Sequence, residues 1–386
     1  MTRFLHTSDW QLGMTRHYLS AREDDDPQAR FTADRIQAVR RLGELARAEG
    51  CRFVVVAGDV FETQNVSASV RARACEALAS IGLPTFLLPG NHDSLEPGCI
   101  WDQPDLVAQL PATVTVLRDT TPVEVAGVEV VGVPLTSRHA VGDVLAPVLD
   151  ALPSDGIPRV AVAHGQLEGA TGNQGPGLFA RAPIERALAR GALSYLALGD
   201  RHIASPADDP HDPVRHSGTH ETTSFAEPGR GTAVVVDLDA DGITATEHVV
   251  GTWLHTRISR DLTTDSDLDA LDATLAGLDH RDRTIVRYDF HGVLTLAQKA
   301  RLDAMLAHHG AALASLEASA GRHDLDVVPD DADLAGLDLP AWAAEGVAEL
   351  TEAARQGDEE AGTALVLLLR LARATGDHDA TRRARS

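Results

Sequence analysis

Side chains able to bind divalent metal ions recur in five short motifs along the 386-residue chain. These motifs are Asp9-Trp10-Gln11, Gly58-Asp59, Gly90-Asn91-His92-Asp93, His164-Gly165 and Gly199-Asp200-Arg201-His202. Carboxylate, amide and imidazole groups together suit hard to borderline divalent cations, and one carboxylate between two cations can bridge them at about 3.5–4 Å. Such a pair activates water and clamps a phosphate group, so the motifs predict phosphate-ester hydrolysis.

The motifs follow segments that have the pattern of buried strands. Apolar runs at residues 3–7, 52–57 and 85–88 are bounded by turn signals, and helical patterns such as 33–48 separate them. Strand, helix, strand order indicates right-handed crossovers and a largely parallel segment of sheet. The loops after the strands of such a sheet are where ligands bind, which is where the motifs stand.

After residue 120 the pattern changes to hairpins and further strands. Residues 123–125 and 128–133 flank a turn, and later apolar runs lie at 159–163, 232–238 and 243–250. The whole core is therefore predicted to be α/β in class, of the mixed α+β kind, with two packed sheets and helices outside.

The motifs in order, HTSDWQLG, VVAGDVFE, LLPGNHDSL, VAHG and YLALGDRH, resemble the signature of the calcineurin-like metallophosphoesterases. The likeness is strongest to the SbcD-like, Mre-type branch of DNA repair nuclease subunits, and it covers roughly residues 1–250. It implies a four-layer metallophosphoesterase β-sandwich flanked by helices, with a small α/β capping lobe and a C-terminal helical pair.

The resemblance also implies two divalent metal ions, Mn²⁺ first and Mg²⁺ second. It assigns the ligands of one ion as Asp9, Gln11, Asp59 and His202. It assigns those of the other as Asp59, Asn91, His164 and Asp200, with Asp59 bridging. His92 is then expected to stabilise the transition state or to protonate the leaving oxygen.

Two of these positions depart from the family pattern, which has D-x-H in the first motif and G-H-x-H in the last. Gln11 and Asp200 stand where the family has imidazoles. An amide and a carboxylate keep the ligand count but make the site harder and more anionic, which favours Mn²⁺ or Mg²⁺ over Zn²⁺. The alternative is a degenerate site in which both side chains merely form hydrogen bonds.

Three further residues are predicted to support the ligands or to contact substrate: Asp93, Arg201 and His216. His216 belongs to a segment, 216–221, that resembles the family's Y-x-G-S-like stretch after the last metal motif, although a plain loop is the alternative. Arg201 and neighbouring basic side chains could form a rim for phosphates, or could simply be exposed.

The chain is expected to divide into three parts. Residues 1–251 form the catalytic domain. Residues 252–326 form an α/β lobe that matches, by position, the DNA-capping lobe of the resembled family. Residues 327–386 hold a linker and two helical patterns, 341–356 and 359–375. By the resemblance these helices dock on an SMC-like ATPase of the SbcC type; the alternative is a hairpin folded on its own core.

Composition limits the cellular setting. The formal net charge of −23 is unusual for a DNA-binding protein. Metal ions and a partner would have to supply the positive electrostatic potential that attracts DNA phosphates. Three cysteines lack zinc-finger spacing, no signal peptide is recognisable, and no apolar run approaches the roughly 18 to 20 residues of a membrane span. A soluble, cytoplasmic protein without membrane contact is expected.

Three functions remain open on the sequence alone. The first is a metal-dependent DNA exo- or endonuclease subunit in repair or defence, using a two-metal-activated water and able to form a homodimer. The second keeps this chemistry but acts on a small phosphodiester or phosphomonoester, which suits the acidic chain. The third is a non-catalytic scaffold with weakened metal binding.

Overall fold

The computed structural model describes residues 1–22, 24–139, 141–169, 178–321, 324–327, 341–355, 360–361 and 364. The chain divides into two compact units, Met1–His255 and Thr256–Ser386. The strands are β1 Thr2–Thr7, β2 Val54–Val56, β3 Thr85–Leu87, β4 Val114–Val116, β5 Val123–Val125, β6 Val128–Val133, β7 Arg159–His164, β8 Tyr195–Gly199, β9 Ala204–Ser205, β10 Val214–Ser217, β11 Thr232–Asp239, β12 Gly242–Val249, β13 Leu254–Asp261, β14 Thr284–Leu294, β15 Ser315–Ala318 and β16 Asp324–Val327.

Two six-stranded sheets make up the first unit. Their strand orders are β12-β11-β1-β2-β3-β4 and β5-β6-β7-β8-β10-β9. Within the first sheet β1 to β4 run parallel, and β11 and β12 add an antiparallel edge. Within the second, β6, β7, β8 and β10 run parallel. The mixed two-sheet class predicted from the sequence is confirmed.

The helices are α1 Pro27–Ala48, α2 Ala68–Ile81, α3 Pro104–Gln109, α4 Ala146–Ala151, α5 Arg181–Ala189, α6 Asp265–Ala276, α7 Leu296–Ala312 and α8 Ala341–Arg355. The starts of α1 and α2 carry clear capping signals. The Asp26 side chain caps α1 ahead of Pro27, and the Ser67 hydroxyl caps α2. Gly82, at φ 68°, ends α2 in the left-handed conformation.

Successive side chains of each strand point to opposite faces of its sheet, so both faces of each sheet are covered. The result is four layers, two sheets in the middle and helices on either side. One set of side chains, including Phe4, Phe53 and Val162, fills the space between the two sheets. The opposite face of the first sheet packs on α1 and α2, and that of the second packs on α4 and α5. Strands buried on both faces read as continuous apolar runs, which is why the sequence located them.

The second unit is built on β14, which pairs in parallel with β15 along its first half and with β16 along its second. This double pairing explains why β14 is longer than the predicted strand at 284–290. Helices α6 and α7 begin with complete capping boxes, Thr264 with Asp267 and Thr295 with Gln298. The predicted helix 341–356 corresponds to α8. The linker after β16 and nearly all of the predicted helix 359–375 lie outside the described residues.

No helix within the described ranges is both long and apolar enough to cross a membrane.

One buried histidine in β1 gives a testable dependence of stability on pH. His6 has no exposed surface; its Nδ1 lies 2.9 Å from the Tyr195 hydroxyl, and its Nε2 has no hydrogen-bond partner among the described residues. Burial, with a smaller contribution from His216, lowers the pKa of His6 to about 3. Because the unfolded imidazole titrates near 6.5, protonation favours the unfolded chain as pH falls below that value.

We therefore expect the free energy of unfolding to decrease, through His6, by up to about 1.4 kcal/mol per pH unit between pH 6.5 and 3. In His6→Asn this contribution should vanish, so the slope between pH 6.5 and 5 becomes shallower by that amount. Urea titrations in EDTA, followed by tryptophan fluorescence, measure it. His139→Asn, which changes an exposed imidazole, is the matched control. Identical slopes for wild type and His6→Asn would contradict the prediction.

Candidate metal centre

The carboxyl ends of five strands bring the sequence motifs together. Asp9, Asp59 and Asn91 follow β1, β2 and β3, while His164 ends β7 and Asp200 follows β8. Asp9, Asp59 and His164 are all buried, and each offers a ligand atom within 4.8 Å of the others. Parallel strands place their carboxyl ends at one edge of a sheet, which explains how residues so distant in sequence meet.

The backbone at the motifs is strained. Among the described residues six non-glycine residues have positive φ, and four of them are motif residues: Asp9 at 54°, Gln11 at 43°, Asp59 at 54° and Asp200 at 77°. Such conformations cost free energy and persist where surrounding contacts enforce them, often at functional sites. Here the Asp9 amide donates to Gly58 O at 3.0 Å, and the Gln11 amide to Asp59 O at 2.8 Å.

Two motif glycines are required by close approach. A Cβ on Gly58 would lie 2.1 Å from His164 Nδ1, and one on Gly90 would lie 2.2 Å from Asp59 Oδ1. Any side chain at either position would displace a buried ligand-type group. The Gly-Asp and Gly-Asn pairs of the sequence therefore reflect packing against the site.

The motif side chains form one cluster with two halves, and His164 lies at the centre of the first half. Its Nδ1 donates to Ala57 O at 2.8 Å, because a carbonyl oxygen can only accept. Its Nε2 then faces three oxygens: Asn91 Oδ1 at 2.8 Å, Asp59 Oδ2 at 3.4 Å and Asp200 Oδ1 at 3.8 Å. Burial opposes charge on this ring, yet the carboxylates, Asp59 first, raise the pKa of His164 well above its usual value. A positive charge, either a proton or a cation, is needed where these groups converge.

Asp9, Gln11 and His202 form the other half. His202 Nε2 lies 3.6 Å from Asp9 Oδ1 and 3.5 Å from Gln11 Nε2. Gln11 Oε1 is buried and, in the part of the chain that the structure describes, has no hydrogen-bond partner. A buried amide oxygen without a partner is costly, so this atom is suited to a cation ligand.

The two departures from the family pattern both face the cluster. The Asp200 amide donates to Asp9 Oδ1 at 3.2 Å, and its one-third-exposed carboxylate is the group 3.8 Å from His164 Nε2. Gln11 contributes the buried oxygen described above. The donor set is therefore rich in oxygen, with two imidazoles, and fits hard to borderline divalent cations.

His92 lies at the rim of the site, and one of its two ring nitrogens is hydrogen-bonded to the backbone. Its Nδ1 donates to Glu62 O at 2.7 Å, and its backbone N–H donates to Asp59 Oδ1 at 2.9 Å. Its Nε2 lies 3.9 Å from Asp59 Oδ2, and a quarter of the side chain is exposed. The Nε2 atom is therefore the one available to a bound substrate.

The three supporting residues predicted from the sequence have different surroundings. Asp93 is fully buried and accepts from the amides of Gly90 at 2.7 Å and Phe61 at 3.1 Å, which ties two motif loops together. Burial, with the Asp59 charge, raises the pKa of Asp93 to about 7. His216 is buried and donates through Nε2 to Gly165 O at 3.2 Å. Arg201 is half-buried beside the site.

Two residues that support the site were missed by the sequence analysis. Glu227 Oε1 lies 3.0 Å from His202 Nδ1 and fixes that ring. Arg35 is fully buried, and its guanidinium donates to the backbone oxygens of Asp9, Trp10 and Glu221. Arg35 could have been noticed as a charge four residues from Phe31 and Val39, both on the apolar face of α1. Glu227 stands in a loop without periodicity and gave no such signal.

The Glu227–His202 contact predicts an effect on metal affinity. A carboxylate that holds the distal nitrogen of a ligating imidazole typically contributes 10–100-fold to affinity. We expect Glu227→Gln to weaken Mn²⁺ binding by that factor, measured by calorimetric titration, because the amide no longer carries the charge that favours the bound tautomer. Glu247→Gln, an exposed change on β12, should leave affinity unaltered. Equal affinity in both variants would show that Glu227 only packs.

Comparison with known proteins identifies the family. The calcineurin-like phosphoesterase model matches residues 2–220. The DNA double-strand break repair protein Mre11 of Haloferax volcanii is 25% identical over 345 residues, which cover 87% of this chain and 70% of that protein. The SbcD component of the SbcCD nuclease of Rhodobacter capsulatus is 35% identical over 96 residues, 24% of this chain and 21% of that protein. These relatives confirm the resemblance inferred from the motifs.

Among solved structures, the protein TT1561 of Thermus thermophilus aligns with a TM-score of 0.40 at 15% identity, covering 64% of this chain and 98% of that one. The family model covers more than half of the 386 residues and includes all five motifs. The chain belongs to the calcineurin-like phosphoesterase family.

Proposed function

We propose that the chain hydrolyses DNA phosphodiester bonds as the metal-dependent nuclease subunit of an SbcCD-like assembly. The observation that carries the proposal is the meeting of five motif loops around His164 Nε2 and the unpartnered Gln11 Oε1. That arrangement supplies both halves of a dinuclear site. The names of the Haloferax and Rhodobacter relatives point to DNA as the substrate.

The proposed ligands follow the two halves of the cluster. One cation is held by Asp9, Gln11, Asp59 and His202, and the other by Asp59, Asn91, His164 and Asp200. The oxygen-rich donors favour Mn²⁺ and next Mg²⁺. When bound, the two cations lower the pKa of water and neutralise charge on a phosphate in an in-line displacement. Burial of Asp9 and Asp59 strengthens these interactions, since bulk water does not screen them.

The protein's own groups orient the reaction. The His92 N–H holds Asp59 Oδ1, which leaves Asp59 Oδ2 facing the site. His92 Nε2 can then reach an oxygen of the substrate, either to stabilise developing charge or to protonate the leaving oxygen. Arg201 adds positive charge at the rim, and Asp93 keeps the Gly90 and Phe61 loops in place.

The remaining parts of the chain are assigned by analogy with the relatives. The family model ends at residue 220, whereas the match to the Haloferax protein spans 87% of the chain and so extends beyond the family domain. We assign 1–251 as catalytic, 252–326 as a DNA-contacting lobe and 327–386 as the region that docks on an SbcC-type ATPase. That partner would supply positive surface that a chain of net charge −23 lacks. A homodimer is part of the same proposal.

The test is cleavage of linear single- and double-stranded DNA beside bis-p-nitrophenyl phosphate, with Mn²⁺, Mg²⁺ or EDTA. Metal-dependent cleavage of DNA is the expected result. Hydrolysis of the small ester alone would favour a small phosphoester substrate, the alternative that the acidity supports. Silence on every substrate, with no metal retained on dialysis, would contradict the proposal.

A further inference from the structure

A pocket of about 400 Å³ lies in the first unit between α5 and the segment that carries β9 and β10. A volume in this range is typical of sites for small organic ligands. Its lining combines polar groups, Arg201, Ser205 and His216, with the aliphatic side chains of Leu167, Ile184 and Leu188. The metal ligands do not line it, so its occupant is separate from the cations.

The polar end of the pocket adjoins the metal cluster. Arg201 stands between Asp200 and His202 in sequence, and His216 is tied through Nε2 to Gly165 O, next to His164. The His216 ring therefore presents Nδ1 to Ser205 Oγ, 3.4 Å away. A substrate group bound at this end of the pocket would therefore lie next to the group bound by the cations.

Arg201 is available to a ligand. Within the described part of the chain its guanidinium forms no hydrogen bond or ion pair, although the side chain is half-buried and lines the pocket. By contrast both terminal nitrogens of the nearby Arg215 donate to backbone oxygens, Nη1 to Asp209 O and Nη2 to Pro206 O at 2.6 Å. A half-buried guanidinium without a partner is suited to a phosphate oxygen.

The rest of the lining is largely aliphatic, and its charged groups balance. Leu167 and Ile184 are buried and, with Leu188, present an aliphatic wall. Two carboxylates, Glu185 and Asp212, and a second, exposed guanidinium, Arg181, also line the pocket, so the lining carries no excess of positive charge for several phosphates. A ligand that joins one phosphate to a body with an apolar face satisfies both the guanidinium and the aliphatic wall.

We propose that this pocket binds one unpaired nucleotide of the strand being cleaved, its phosphate on Arg201 and its base against Leu167, Ile184 and Leu188. The proposal rests on the function proposed above and adds a substrate requirement. A base that is paired and stacked in a duplex cannot lie against this aliphatic wall, so the nucleotide must be single-stranded or displaced from its pair. Unpaired DNA ends should therefore be preferred over blunt duplex ends.

Calorimetric titration of the Mn²⁺-loaded full chain tests the pocket directly. The probes are 2′-deoxyadenosine 5′-monophosphate and 2-deoxyribose 5-phosphate, which carry the same phosphate and sugar. Any binding of the phosphate to the cations contributes equally to the two dissociation constants. The ratio of these constants therefore measures the contribution of the base. We expect the nucleotide to bind at least tenfold more tightly, because its base leaves water for an apolar wall.

Two variants locate the effect. Leu188→Asn, a half-buried change, should remove most of the difference between the probes, and Arg201→Gln should weaken both. Val107→Asn, on the exposed face of α3 outside the pocket, should preserve the difference. Melting temperatures of the variants verify folding, and Leu188→Ala, a smaller change at the same position, tests the aliphatic wall should Leu188→Asn not fold.

Equal affinity for the two probes in the wild type would overturn the pocket proposal, as would an unchanged ratio in folded Leu188→Asn. Hydrolysis of bis-p-nitrophenyl phosphate is measured in parallel. This ester contains no nucleoside, so its hydrolysis does not depend on the pocket. If linear DNA is cleaved in the metal-dependent assay described above while the probes bind equally, the pocket proposal fails and the proposed function stands. If neither DNA nor the small ester is hydrolysed, the proposed function fails, and the titration still decides whether the pocket binds a nucleotide.

Discussion

Asp59→Asn should lower phosphodiester hydrolysis by about 10³-fold or more, the largest loss expected from any single conservative change in the chain. Asp59 is 2% exposed, and its two oxygens face the His92 amide and His164 Nε2. Although burial opposes its charge, His164 and His92 lower the pKa of Asp59 to about 2. The carboxylate is therefore ionised at neutral pH, and asparagine removes that charge from the proposed bridge while retaining the shape.

The measurement is kcat/KM on DNA and on bis-p-nitrophenyl phosphate with saturating Mn²⁺, beside the number of Mn²⁺ ions bound. Asp241→Asn, in the exposed turn between β11 and β12, makes the same chemical change away from the site and should match wild type. We expect both activity and metal occupancy to fall in Asp59→Asn. Wild-type activity in a folded variant would remove Asp59 from the bridge and with it the two-cation assignment.

The parts of this site that the sequence predicted share one physical cause. A doubly buried parallel strand is a continuous apolar run, and the residues after it lie at a ligand-binding edge. Asp9, Asp59 and His164 could therefore be grouped without coordinates, and the structure places them within 4.8 Å. The sheet class followed from the same runs.

The parts that it did not predict depend on contacts between segments distant in sequence. Glu227 supports His202 across 25 residues, and Arg35 donates to Glu221 O across 186 residues. No periodicity marks such pairs, since each partner is chosen by tertiary packing. The positive φ angles at Asp9 and Gln11 are equally hidden, because neither residue type requires that conformation.

The contacts of the basic side chains near the metal cluster bear on how so acidic a chain could bind DNA. Much of the positive charge near the cluster is committed to backbone oxygens: Arg35 is buried beneath the first motif, and Arg16 donates to Thr223 O at 3.0 Å. Neither side chain is free to cover a DNA backbone. If the substrate is DNA, attraction must come mainly from the cations, from Arg201 and from a partner, so cleavage should depend strongly on metal and salt.

His92→Asn should reduce the rate on DNA by about 10²-fold or more with little change in Mn²⁺ affinity. The backbone N–H that holds Asp59 Oδ1 is unaffected by the substitution. The asparagine amide can replace Nδ1 as the donor to Glu62 O, so the variant chiefly removes Nε2. Calorimetric titration with Mn²⁺ and single-turnover cleavage separate binding from chemistry, with His139→Asn as the exposed control.

The leaving group then distinguishes the two roles of Nε2. The p-nitrophenolate ion leaves without a proton, whereas the alkoxide released from DNA needs one, so a proton donor matters more for DNA. A loss on DNA at least tenfold greater than on bis-p-nitrophenyl phosphate would identify His92 as the general acid. Equal losses would instead indicate stabilisation of charge on the phosphate, which both substrates require. Unchanged rates on both would exclude His92 from the reaction and leave the metal ligands alone to account for it.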